Sequence, residues 1–403
     1  MMDAYEWAQL TYNAKNNAYL DAVPNGKITD DNATRGNSNY QIPPEILPYL
    51  KGDAGLVNTD WQDAVFRTAP VQNHTLSASS GNDKFQYYIS GNYLDQKGIV
   101  IGSGYKRYGV RANLTANLTD KLKVGISLNP TVDHYDLINS EGPWTFDGIL
   151  SNALKAAPIF PVYNADGSLA TNKQNVWAFG YSGGENPVAL ATQIEDKLDH
   201  IRNLGHVYGE YTIIKGLTFK TFFGTDINYF NRNYYRPSTL GSYKPIQQGA
   251  PTIPKGSAQT AQSVNWLWEN TLNYHFEAAK HKFDVLAGYT SQKNTTKANE
   301  TVGTGFPNDA VHSINAATVT SGTSNTSQWS LLSYLGRVNY NYDDKYFVSA
   351  SLRSDGSSRF GANNKWGYFP SISGGWLISN ETFFKVPAIS ELKARISYGT
   401  SGN

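Results

Sequence analysis

The chain has 403 residues, a formal net charge of +1 and no cysteine. Balanced charge gives no electrostatic footing for nucleic acid or a strongly acidic partner, and the missing cysteine excludes a disulfide framework and a thiolate metal site. No apolar run approaches the ~20 residues of a transmembrane helix, and the start "MMDAYEWAQL" does not read as a signal peptide.

Residues 3–20 place Tyr5, Trp7, Leu10 and Ala14 near helical spacing and predict a short helix. "IPPEILPYLKG" predicts one further helical turn, because Pro43 and Pro44 suit a helix start. The rest of residues 1–70 reads as a long polar loop, placed on the extracellular side by the barrel reading below.

From residue 71 onward nearly every ordered segment reads as strand. In "RYGVRANLTANLTDKLKVGISLNP", residues 107–130, Tyr108, Val110, Ala112, Leu114, Ala116 and Leu118 alternate with Arg107, Gly109, Arg111, Asn113, Thr115 and Asn117. Beyond the turn "TDK" the alternation resumes, with Leu122, Val124, Ile126 and Leu128 opposing Lys123, Gly125, Ser127 and Asn129. Period-two patterning on both sides of a short polar turn predicts a β-hairpin. About twelve such strands follow from the same signal: 71–79, 85–94, 106–118, 121–132, 201–214, 217–229, 263–276, 281–291, 329–342, 345–354, 366–378 and 391–399.

The connections alternate in length. "SGNDK", "TDK", "KG" at 215–216, "EAAK" and "DD" are short, whereas residues 95–105, 133–200, 230–262, 292–328 and 355–365 form longer loops. All tight turns then lie at one end of the sheet, the asymmetry of outer-membrane β-barrels with short periplasmic turns and long extracellular loops. Aromatics gather toward strand ends, as in Trp266 and Trp268 against Tyr274 and Phe276, as interfacial girdles require. Asn270 falls on the apolar side of its strand, and Phe222 and Leu335 on the polar side. The expected fold is all-β: an antiparallel transmembrane β-barrel portion spanning 71–403, preceded by the short helix. The competing expectation is a soluble or surface-exposed β-rich glycan-binding adhesin, with its apolar face buried between two sheets.

Three blocks carry a family resemblance: "TDWQDAVFRTAPVQNHTLSASSGNDKFQYYISGNYLDQKGIV" at 59–100, "SLRSDGSSRFGANNKWGYFPSISGGWLIS" at 351–379 and "ELKARISYGTSGN" at 391–403. Together with "PVYNADGS" and "NPVAL" they resemble the SusC/RagA-type TonB-dependent outer-membrane transporters. The resemblance implies a share of a larger barrel of the roughly 22-stranded, plugged type. It also implies TonB-dependent import of nutrients, an inner-membrane TonB complex and a SusD-like surface lipoprotein. No plug or TonB box is recognised in these residues, so an internal barrel fragment is expected.

Motifs for chemistry are weak. "GYSGG" at 180–184 matches G-x-S-x-G around Ser182, but the strand–turn–helix setting of a nucleophile elbow is not evident, since Pro187 follows in a polar turn. His200 and His206 fall on one strand face about 20 Å apart, too far to share a metal. Asp133, His134 and Asp136 are read as a strand running out into a solvated loop. Neither a cofactor nor an enzymatic activity is called for. Substrate contacts are expected from Trp144, Trp177, Tyr181 and Asn186 in the 133–200 loop, where aromatic faces and amides suit oligosaccharides or peptides. Arg111, Glu210, Lys220, Asp226, Glu269 and Arg337 are expected to line a wet lumen.

Overall fold

The computed structural model describes residues 2–140, 148–171, 185–240 and 253–402. Twelve strands form one antiparallel sheet in strict chain order. They are β1 (Val71–Gly81), β2 (Phe85–Lys97), β3 (Gly104–Thr119), β4 (Leu122–Asp136), β5 (Glu195–Ile214), β6 (Leu217–Arg236), β7 (Lys255–Ala278), β8 (His281–Thr304), β9 (Thr318–Tyr342), β10 (Tyr346–Ser357), β11 (Trp366–Leu377) and β12 (Lys393–Gly399). β1 and β12 are the two edges, so the sheet is not closed on itself.

The pairing register carries one chemical pattern across all twelve strands. Leu76, Gly91, Val110, Phe223, Trp268, Val338, Val348 and Ile372 share a face, which we call the outer face. Its large side chains are bare, Leu76 being 83% exposed and Ile396 78%. The opposite, inner face presents mostly Ser, Thr, Asn, Gln and charged residues. The outer apolar band ends in aromatics at both rims. Toward the long connections run Trp268, Tyr289, Tyr334 and Trp366, with ring centroids 5.6–6.2 Å apart. Toward the tight turns run Tyr274, Phe276, Phe283 and Tyr340, at 4.8–5.0 Å. On β11 the rims stand ten residues apart, from Trp366 to Trp376, near the ~9–11 residues of a bilayer-spanning strand, whereas Trp268 to Tyr274, Phe283 to Tyr289 and Tyr334 to Tyr340 are each six apart.

Five strands, β5 to β9, overrun the expected limits at their long-connection ends by six residues or more. The 292–328 loop is largely strand, since β8 continues to Thr304 and β9 starts at Thr318; likewise β6 reaches Arg236 and β7 starts at Lys255 within 230–262. These extensions, such as "KNTTKANE" and "TVTSGTSNTSQ", are polar on both faces, so the alternation that marks a strand is lost while the ladder continues. At the opposite end the limits agree to within two residues for most strands. The exception is the link from β11 to β12, residues 378–392, which breaks the short-turn rule.

The N-terminal region is more structured than one helix and a loop. α1 (Ala4–Ala22), α2 (Asn32–Arg35), α3 (Leu47–Lys51) and α4 (Trp61–Val65) join α5 (Ile149–Lys155) and α6 (Pro187–Gln193) from the β4–β5 connection. α1 opens with a capping box: the Asp3 carboxylate accepts from the Glu6 N–H, and Glu6 accepts from the Asp3 N–H. Two apolar clusters hold this layer together. One joins Trp61 and Val65 to Val100, Ile149, Leu190 and Leu240, and the other joins Ala8, Ile46 and Tyr49 to Ala157 and Ile159. The Trp61 indole donates to the Ala157 carbonyl at 3.0 Å, tying α4 to the β4–β5 connection. The layer thus sits at the long-connection rim.

Asp30 clamps the C-terminal side of α1, accepting from the Lys27 N–H at 2.8 Å and the Tyr19 hydroxyl at 2.9 Å. Those bonds hold its carboxyl below the usual value. A depressed folded-state value means the contribution is full above the unfolded carboxylate value of ~3.9 and is lost as pH falls through the folded one. Proteolysis between α1 and α2 is expected to accelerate as pH falls below about 4, and Asp30→Asn is expected to weaken that pH dependence, the remainder coming from Asp31, held low by its bonds to Thr34.

Candidate functional site

The inner face is the one continuous polar surface of the sheet. Arg111, Glu210, Lys220, Asp226, Glu269 and Arg337 all fall on it by register, through pairs such as Glu210 with Lys220 and Asp226 with Asn265. Lys123, Glu210 and Lys220 lie side by side on three successive strands. Arg337 stands 4.0 Å from Asp284. Phe222, out of place by composition, stacks on His206 at 4.9 Å, and the Lys220 ammonium sits 5.0 Å from the Tyr208 ring. Phe222 therefore belongs to an aromatic and cationic patch of the inner wall.

The densest network on this face was not expected. Asp133 is 5% exposed and accepts from the Tyr105 hydroxyl at 2.7 Å, with Arg107 Nε at 3.6 Å and His200 Nδ1 at 3.2 Å. His200 Nε2 meets the Asn228 carbonyl oxygen at 3.2 Å, and the Asn228 amide donates to Asp226 at 2.9 Å. Asp226 in turn takes two bonds from Arg202, at 2.9 and 2.8 Å. The chain Tyr105–Asp133–His200–Asn228–Asp226–Arg202 crosses four strands. Asp133 is thus a buried junction within β4 and not the start of a solvated loop, and the continued alternation of Thr131, Asp133 and Tyr135 was the signal for it. Nearer the long connections, Arg232 makes a two-bond pair with Asp196 at 2.7 and 2.6 Å. His206 is engaged separately, by its stack on Phe222. Among the described residues no group of three His, Asp or Glu side chains is placed to hold a metal ion.

At the tight-turn end of the inner face a cavity of about 510 Å³ is lined by His275, Lys282, Asp284, Phe347, Lys393 and Arg395. The Lys393 ammonium lies 4.0 Å from the centre of the Phe347 ring. The lining carries three cations against Asp284, and of these Lys282 is paired with Asp344 at 2.8 Å.

Asn186 is not available to a substrate. It is fully buried as the N-cap of α6, its carbonyl oxygen accepting from the Val188 and Ala189 N–H groups while its amide donates to the Val162 and Ala170 carbonyls. All its bonding capacity is spent on the fold. Trp144, Trp177, Tyr181 and Ser182 lie outside the described residues.

No protein-family model matches the chain. It is 33% identical over 364 residues to TonB-dependent receptor P3 of Formosa agariphila, covering 88% of this chain and 35% of that protein. With TonB-dependent receptor SusC of Bacteroides thetaiotaomicron it shares 28% identity over 380 residues, covering 88% of this chain and 36% of that protein. The whole chain superposes on 45% of a chain in the structure of the RagAB peptide transporter, with a TM-score of 0.77 at 22% identity. The chain belongs to the TonB-dependent receptors. It spans about a third of the length of these curated relatives, and its sheet has the fold of the matching part of the RagAB chain. Those relatives are receptors and transporters by description.

Replacing Asn186 by alanine removes the α6 cap, leaving the buried Val188 and Ala189 N–H groups without that acceptor and taking a donor from the Ala170 carbonyl. A stability loss of about 2 kcal/mol or more is expected, seen as faster proteolysis of the β4–β5 connection.

Proposed function

We propose that this receptor segment forms part of the wall of an outer-membrane, TonB-dependent importer for oligosaccharides or peptides, and that it carries no enzymatic activity. The supporting observation is the two-faced sheet: an exposed apolar band between two aromatic girdles on one side, a hydrogen-bonded polar wall on the other. The outer face meets lipid. The inner face lines the aqueous lumen, with Arg111, Glu210, Lys220, Asp226, Glu269 and Arg337 as structural ladder members first and selectivity groups second.

In this orientation the tight turns face the periplasm and the helical layer of residues 1–70 lies outside the cell. The cavity at Lys393 and Arg395 would then face the energised, periplasmic side of the lumen. A SusD-like lipoprotein at the outer rim and the inner-membrane TonB complex are the partners that this family membership suggests, acting through the whole receptor.

The test is detergent dependence. The chain is expected to be β-rich and monodisperse only in detergent or lipid; folded, monodisperse protein in plain buffer would overturn the membrane reading and favour the adhesin. A finer test uses neighbours on opposite faces of β9. Val338→Arg puts a charge in the lipid-facing band and is expected to cost about 2–4 kcal/mol in bilayers, while Asn339→Arg, one residue on and lumen-facing, is expected to change stability little.

A further inference from the structure

β9 has 25 residues but its neighbour β10 has only 12. Pairing between them ends at Leu331 with Ser357, where the chain turns away and Ser358 closes the ladder, donating its N–H to the Ser330 carbonyl while its hydroxyl oxygen accepts from the Ser330 N–H. Above that point β9 is paired with β8 alone, up to Thr318. Residues of an antiparallel strand direct their N–H and C=O alternately to either neighbour. Because Ser330 points to the β10 side, Gln328, Thr326, Ser324 and Gly322 point there too, and among the described residues nothing meets them. The result is a notch in the wall with four open donor–acceptor pairs.

The devices that normally blunt such an edge are missing. "TVTSGTSNTSQWS", residues 318–330, holds no proline and no charge, and its one register shift lies at the tip, by Val302 and Gly303. On the outer face of the notch the charge has one sign. Lys297 and Lys293 flank Thr326 and Ser330 on the outer face, and Arg359 and Lys365 stand in the loop at its foot, Arg359 lying over the Trp329 ring at 5.0 Å. No acidic side chain pairs with these four among the described residues. The nearby Glu300 belongs to the inner face, where Gln259 donates to it.

The geometry points to a strand-addition site: the β9 edge from Gly322 to Gln328 accepts an extended, acidic segment of a partner protein as an extra strand. Main-chain bonds supply the attachment and alternate acidic side chains face the lysine side. A guest strand would lie about 10 Å from β8, two strand spacings away, within the joint reach of a lysine and a glutamate.

The experiment uses the detergent-solubilised chain and a fluorescent decapeptide of alternating Thr and Glu, read by anisotropy, with hydrogen exchange mapping the edge. Binding and new protection at residues 322–328 are expected. Thr326→Pro and Ser324→Pro each remove an open N–H without touching the β8–β9 ladder, and each is expected to weaken binding at least tenfold while β8 protection stays unchanged. A Thr–Lys decapeptide is expected to bind at least tenfold more weakly. Equal binding by the proline variants or by the Thr–Lys peptide, no binding at about millimolar peptide, or a dimer of this chain formed through the same edge would each overturn the proposal. The site rests on the sheet alone, so its failure would leave the importer reading standing.

Discussion

The structure depends on one constraint, the saturation of backbone hydrogen bonds across a sheet with one face in hydrocarbon. An unpaired N–H or C=O in that setting costs several kcal/mol, since no water is there to replace the lost partner. The ladders obey it. From β1 to β12 every strand is paired in sequence; two rungs are missing mid-strand, at Val110 and Arg111 opposite Pro130 and Asn129, since proline offers no N–H, and the three register shifts fall at Asn117/Thr119, Thr212/Ile214 and Val302/Gly303. All three lie at strand ends beyond the aromatic rims, where water can satisfy the backbone.

Once the ladder is fixed, the side chains have no freedom about which medium they meet. Every second residue is committed to the inner face, so charges there must be balanced between neighbouring strands. Asp133 shows the consequence. Buried to 5% exposure, it is compensated by Tyr105, Arg107 and His200 from the strands on either side. The pairs Arg202–Asp226 and Arg232–Asp196 repeat the solution between β5 and β6. These groups zip the strands together on the wet side, as the girdles do on the other.

How much of this was legible in the sequence follows from the same physics. Where lipid contact enforces alternation, as along β3 and β4, twelve strands and their facing could be read directly, and Arg111, Glu210 and Arg337 fell on the polar face. Where both faces meet water the pattern vanishes, so the upper parts of β6, β7, β8 and β9 read as loop in the sequence. Cross-strand partners were hidden for another reason: Tyr105, Asp133, His200 and Asn228 converge from four strands, and only register reveals which residues meet. Asn186 misled because an exposed amide in a loop and a buried helix cap look alike in one dimension. The "NPVAL" sequence, with asparagine before a proline at the first helical position, is in fact a cap signal.

The location of buried apolar residues bears on the choice between barrel wall and soluble β-protein. Among the described residues, those fully buried, such as Trp61, Ile46, Leu190 and Leu240, belong to the helical layer and the long connections at one rim. The sheet contributes almost none. Val110, Leu352 and Ile372 each remain about half exposed or more, and no second sheet covers them. A soluble sandwich gains its stability from apolar residues facing inward between two layers, at ~25 cal/mol per Å² removed from water. Here that gain is unrealised over the whole outer face. The sheet obtains it only when an apolar phase is supplied from outside, as by a bilayer meeting the outer face.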